Sequence, residues 1–205
     1  MKDNLPHVQV FSENELLERL QSGESHFSHC ISIRNPDQQM PPAIKEAFSG
    51  ILELRFYDVD TVDQLGPAQT IKRAPRRIDV QGVIEFYKIT KAGATGYTIH
   101  CWQGISRSPA IALGLLYLMT RSEEQAAKAL QEMRPDARPH QMLVRFFDQE
   151  LGCQLSVFND RIRWQALESL RTELASLGAA KAAPAANGGG LLRKAKRLRK
   201  EREAS

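Results

Sequence analysis

A chain of 205 residues is long enough for one domain with a proper hydrophobic core and short for two. With 42% hydrophobic and 25% charged residues it has a globular composition, and no apolar run approaches the roughly 18 residues of a membrane span. The formal charge of +4 is local, because seven of the 28 basic residues fall between Arg193 and Glu203; the basicity belongs to a tail and not to a surface of the domain.

In chain order, VQVF (Val8 to Phe11) is rich in β-branched residues and reads as a short strand. In FSENELLERLQSG, Ser12 stands three residues before Glu15, and Leu16, Leu17 and Leu20 follow. That is a capping box in front of a short amphipathic helix stopped by Gly23. HCISI is a second strand, NPDQQMPP a loop, and ILELRFYDV a third strand ending at Asp58. DTVDQLGPAQTIKRAPRR then reads as a long surface connection, and loops beyond about 12–15 residues are usually functional or disordered. IDVQGVIEFYKIT has helical spacing through Val80, Val83, Ile84 and Tyr87, and YTIHC is a strand apolar enough to be central. Helices follow from about Arg107 to Thr120, from Ser122 with Glu123 and Glu124 in the first turn, through PHQMLVRFFDQELG, and from about Arg161 to Leu177.

Strands interleaved with helices, then helices alone, predict an α/β fold: a central, mostly parallel sheet of about four to five strands flanked by helices, with a helical C-terminal part. The domain is expected to span residues 1–177. Residues 178–205, small residues with Pro and Gly and then a basic run, are expected to be a flexible linker and a disordered tail. Such a run is most often a solvated end; contact with nucleic acid or an anionic surface is the alternative. Three cysteines without regular spacing argue against a disulfide framework and for a reducing compartment. The opening MKDNLPHVQVF lacks a basic region followed by an apolar stretch, so no secretory leader is expected and the reading is cytoplasmic.

The chemistry concentrates in IHCWQGISRSPAIALGLL, Ile99 to Leu116, whose local grammar is strand, short loop, helix. A helix starting near Arg107 leaves its first amides unpaired and turns its positive dipole end to the loop, which makes an anion site. Gly104 lets the backbone turn inward, and Pro109 falls in the first turn, where its missing donor is harmless. The loop Trp102, Gln103, Gly104, Ile105, Ser106 is thus expected to cradle a phosphate, with Arg107 closing the ring through its planar fork. Helix ends and neighbouring cations also convert a cysteine to thiolate, so the same site would ionise Cys101 as a nucleophile beneath the phosphate. Ser108 is placed to donate a hydrogen bond to the sulfur, and His100 to orient backbone groups around it. Trp102 is read equally as a pocket-mouth or a core residue, Cys30 and Cys153 as buried, with a redox partnership of Cys153 and Cys101 the lesser reading. No metal is required, and His7, His26, His29 and His140 are too scattered to make a ligand set.

HCWQGISRS resembles the His-Cys-x5-Arg-Ser signature of the cysteine-dependent protein tyrosine phosphatases, in particular their compact dual-specificity-like branch. The likeness runs from about Val8 to Leu151 and includes MRPDARPHQMLVRFFDQEL, which is similar to the family's Arg-Pro…Pro-Asn helix start. Gln103 stands where the family usually has Ala, and His140 where it has Asn. The resemblance implies the phosphatase-like fold, a phosphocysteine intermediate, no cofactor, and an aspartate on an upstream loop as the general acid. Asp58 in LRFYDVD is the first choice, with Asp60 and Asp63 behind it. The implied substrates are phosphotyrosine proteins, and phosphoserine or phosphothreonine proteins with them. RNA 5′-phosphates and phosphoinositides are alternatives, although phosphoinositide phosphatases usually carry lysines in this loop, which here is neutral. A phosphate-reading module without turnover is the alternative from a different class.

Overall fold

The computed structural model describes residues 7–24, 27–59 and 73–176, and its four strands form one wholly parallel sheet in the order β1-β4-β2-β3. The strands are β1 (Val8–Ser12), β2 (His29–Arg34), β3 (Gly50–Arg55) and β4 (Tyr97–Cys101). The helices are α1 (Glu13–Gln21), α2 (Pro42–Ala47), α3 (Arg77–Thr90), α4 (Arg107–Thr120), α5 (Glu123–Met133), α6 (Gln141–Leu151) and α7 (Leu155–Ser176). Parallel strands need crossovers that cover the sheet on both faces. Alternation along β2 divides the work: Ile31 and Ile33 enter the large core with α3–α6, while Cys30 joins Leu16, Ile44 and Phe48 beneath α1 and α2.

β4 is fully buried and central, as its apolar character predicts. The helix that follows it, α4, is apolar all round and packs against the sheet, α3, α5 and α6. At Gly114 the ring of Phe147 from α6 comes so close that a Cβ would overlap it. The capping box of α1 is present: Ser12 Oγ accepts from the Glu15 amide at 3.1 Å, and the Glu15 carboxylate accepts from the Ser12 amide at 2.7 Å. Ser122 caps α5 by accepting from the Gln125 amide.

Three elements depart from the sequence expectation. β3 ends at Arg55 and not at Asp58; the Phe56 amide still donates to Arg34 O at 2.9 Å, but the Tyr57 amide turns to Arg73 O at 2.8 Å. The short α2, entered through Pro42, was not anticipated, and it buries Ile44 completely. α7 begins at Leu155 rather than near Arg161. Asp148 of α6 accepts from the Leu155 and Ser156 amides at 2.6 and 3.2 Å, so the cap comes from another helix. The expected tail, 178–205, lies outside the described residues. Among the described residues no helix is long and apolar enough to cross a membrane.

All four strands run the same way, so Ser12, Arg34, Arg55 and Cys101 end at one edge of the sheet. The crevice beyond the carboxyl ends of parallel strands is where such sheets hold ligands.

Candidate active site

Cys101 is the last residue of β4 and only 2% exposed. Two donors aim at its sulfur: the Gly104 amide at 3.3 Å and Ser108 Oγ at 3.1 Å. Between them lie the loop residues 102–106, and four of their five carbonyls are fastened by donors from outside the loop. Trp102 O accepts from the Glu13 amide, Gly104 O from Arg134 Nε, Ile105 O from the Arg138 amide, and Ser106 O from the His140 amide. With the carbonyls pinned outside, the amides face in; those of Gln103, Ile105 and Ser106 have no acceptor among the described residues. That is a nest of donors over the sulfur, at the N-terminus of a helix whose dipole has the same sign.

Gly104 makes the turn possible. Its φ is +71°, and a Cβ there would stand 2.6 Å from the Ser12 amide nitrogen and 2.8 Å from the Phe11 carbonyl carbon. Arg134, which holds the outside of this turn, is itself paired with both carboxylate oxygens of Glu15 at 3.0 and 2.8 Å.

Arg107 opens α4 and is 3% exposed. Its Nη1 donates to Asn35 Oδ1 and to Phe56 O, both at 2.9 Å, which fixes one corner of the guanidinium. Nε makes no hydrogen bond and lies 3.8 Å from Asp58 Oδ2. Asp58 is more open, at 38% exposure, on the loop after β3. Its Oδ1 accepts from Ser106 Oγ at 2.7 Å and lies 3.6 Å from His140 Nε2. The same Nε2 donates to Val59 O at 2.9 Å, so the buried His140 is tied to the loop that carries Asp58. A cleft of about 350 Å³ opens above this group, lined by Asn35, Gln38, Tyr57, Asp58, Val59, Trp102, Gln103 and Arg107.

No family model matches the chain, and no curated protein does. Solved structures do. DUSP15 superposes with a TM-score of 0.51 at 19% identity, covering 82% of this chain and 95% of that one. The Yvh1 phosphatase domain from Chaetomium thermophilum gives 0.50 at 16% identity, over 75% and 96%. The chain has the dual-specificity phosphatase fold.

Within the dual-specificity phosphatase fold, Gly104 and Ser108 meet at Cys101, Arg107 meets Asp58, and the loop joins the two groups through the Ser106–Asp58 hydrogen bond. Trp102 is 54% exposed and lines the cleft mouth with Gln103, which resolves its two readings toward the pocket. Ile105 and Ser106 contribute backbone to the loop rather than cleft wall, and Ser106 adds its hydroxyl to Asp58. Asp60 and Asp63 lie outside the described residues.

His100 does not orient groups around the sulfur. It points to the opposite face of the sheet, fully buried, with no hydrogen bond at either ring nitrogen. Burial, and then the Arg34 charge, push it down to about 3. Cys30 and Cys153 are buried as expected, and burial raises both thiols, Cys153 to about 12. Cys153 sits against Phe147 O and Asp148, away from the cleft wall.

Asn35 was missed. It follows β2, and no local motif marks it; only the parallel order of β2, β3 and β4 brings it to Arg107. His140 stood out in the sequence as a departure at the helix start, but its bond to Val59 O depends on a loop 81 residues earlier in the chain.

Proposed function

We propose that the chain is a cysteine-dependent phosphatase that hydrolyses phosphate monoesters, foremost those of phosphotyrosine, with phosphoserine and phosphothreonine beside them. The observation that supports the reading is one loop that carries a buried sulfur with two donors on it at one end and, at the other, a guanidinium fixed by Asn35 and Phe56 O, with the Asp58 carboxylate 3.8 Å from that guanidinium.

Cys101 sulfur attacks phosphorus in line with the ester bond. The three equatorial oxygens gather charge, which the loop amides and Arg107 stabilise. As the P–O bond breaks, Asp58 gives its proton to the leaving oxygen. Water then attacks the phosphocysteine and passes a proton back to Asp58; the P–S bond breaks and sulfur departs as thiolate, with Ser108 Oγ donating to it. Inorganic phosphate is the product. Tyr57 and the exposed Trp102 at the rim suit an aryl leaving group, which favours phosphotyrosine over smaller esters.

The test is hydrolysis of a series of aryl phosphates by the purified chain in the presence of a metal chelator. The wild-type chain should turn over, and Cys101→Ser should not. Asp58→Asn should lose about 100-fold or more in kcat with a poor leaving group and far less with an activated phenol. Undiminished turnover by Cys101→Ser removes the assignment, and a uniform loss across the series removes Asp58 as the acid.

A further inference from the structure

A second cleft, of about 360 Å³, lies between α6 and α7 and has no part in the chemistry above. It is lined by Pro139, Gln141, Val144 and Arg145 on one side and by Ser156, Val157, Asn159, Asp160 and Arg163 on the other. Gln141, Val144 and Arg145 share one face of α6, and Ser156, Asn159 and Arg163 one face of α7. Pro139 and Gln141 are the chain neighbours of His140, which bonds the loop that carries Asp58.

Its polar groups are unfinished. Neither Arg145 nor Arg163 has an ion-pair or hydrogen-bond partner among the described residues, although Arg163 is half-buried. Asn159 is 7% exposed and makes no hydrogen bond among them, and its amide is open to the cleft rather than sealed in the core. Buried amides are normally paired, and half-buried guanidiniums normally have a carboxylate. Here the one carboxylate in the wall is Asp160, on the exposed rim. Burial lowers Arg163 below its ordinary value; Asp160 opposes this and the nearby Arg138 charge adds to it. Two arginine charges thus line a polar hollow whose one carboxylate, Asp160, lies at its rim. The α7 helix end is not the donor, since Asp148 already takes the Leu155 and Ser156 amides and the Ser156 hydroxyl.

We propose that the α6–α7 cleft is an accessory phosphate-binding site, in which the Arg145 and Arg163 forks hold the phosphate and Asn159 hydrogen-bonds it. Two guanidiniums are suited to a dianion with several oxygens more than to a single carboxylate. Val144 and Val157 give the cleft an apolar wall for the carbon to which a phosphate is attached. The phosphate is either free, as the product of hydrolysis is, or a second phosphoryl group on the substrate. The site does not depend on turnover at Cys101.

Titration of the whole ¹⁵N-labelled chain with inorganic phosphate, at constant ionic strength held with chloride, tests it. The amides of Gln141, Asn159 and Arg163 should shift along one saturable curve, separate from any curve at Gly104–Arg107. Arg163→Gln, which keeps a planar polar group in the half-buried position, should weaken that curve by about 10-fold. Arg145→Ala with Arg163→Ala should abolish it. Shifts that fail to saturate, or that follow the wild-type curve unchanged in Arg163→Gln, overturn the proposal. Silence at Gly104–Arg107 with saturation at Asn159 would instead sink the phosphatase reading and leave this site standing. The source is read with peptides on a Cys101→Ser background. Tighter binding of a doubly than a singly phosphorylated peptide, lost in Arg163→Gln, assigns a substrate phosphoryl group. Equal binding of both, with the free-phosphate curve intact, assigns free phosphate.

Discussion

Arg107 is oriented before any substrate arrives, because Asn35 and Phe56 O hold the same nitrogen from two different strand ends. A guanidinium left to rotate would have to be ordered at the moment of binding, and that entropy would come out of affinity. Asn35→Ala should therefore lower kcat/KM by about 10-fold while the melting temperature changes little, since the bond lies at the cleft and not in the core. Asn35→Asp, which keeps the acceptor, should recover most of it; no change in either variant would mean that Phe56 O alone orients the arginine. At His100 the expected signature is in stability. Its value of about 3 against an ordinary 6.5 means that, between those limits, the unfolded chain takes up a proton that the folded protein refuses. Stability thus falls as pH drops through this window, by up to about 1.4 kcal/mol per pH unit, and is fully present above it. Chemical denaturation across pH should show a shallower acid limb for His100→Gln than for the wild-type chain. These two residues also mark how far the sequence could be read. The His-Cys-x5-Arg-Ser run announces a cradle because its meaning is local. The direction in which His100 points is decided by alternation in a central strand, and the partner of Arg107 by strand order.

The elements divide along the same line. Helices whose signals are local were legible to within a residue or two: α1 and α5 carry their own serine caps, and α3 and α6 were read within one segment of sequence. The start of α7 was not, because its cap is a carboxylate on α6. The end of β3 was not either, because Tyr57 leaves the sheet for a backbone partner at Arg73, beyond a connection outside the described residues. α4 carries the most consequential packing. It places Arg107 and Ser108 at one end, and its depth in the core is set by the close approach of Phe147 at Gly114. Gly114→Ala puts a methyl group into a fully buried ring that has no flexible end to yield. The expected result is a loss of about 1–3 kcal/mol in unfolding free energy, together with reduced kcat as α4 shifts against the sheet. Phe147→Leu in the same chain should restore part of both, by giving the methyl room. A Gly114→Ala chain as stable and as active as wild type would show that α4 can slide without consequence for the loop it opens.

At the scale of the whole molecule, the boundary read from composition can be set against packing. α7 is no appendage: it contacts α5 and α6, and Leu155 and Ile162 are buried in the main core. Ending the chain after Gly152 would remove both, forfeiting roughly 1.5–3 kcal/mol for each, a large part of the roughly 5–15 kcal/mol that holds a domain together. Ending it after Leu177 removes the Ala/Gly-rich stretch and eight of the 28 basic residues while keeping every buried side chain of α7. The longer chain should melt within a few degrees of the full protein and hydrolyse an aryl phosphate at the same kcat/KM; the shorter one should unfold at much lower temperature and lose turnover with it. The two truncations separate two ideas that the sequence alone merges, namely where the domain stops and what the basic run is for. If the chain ending at Leu177 loses turnover but keeps its melting temperature, the basic run takes part in activity rather than in folding, and the effect should then fade as salt is raised.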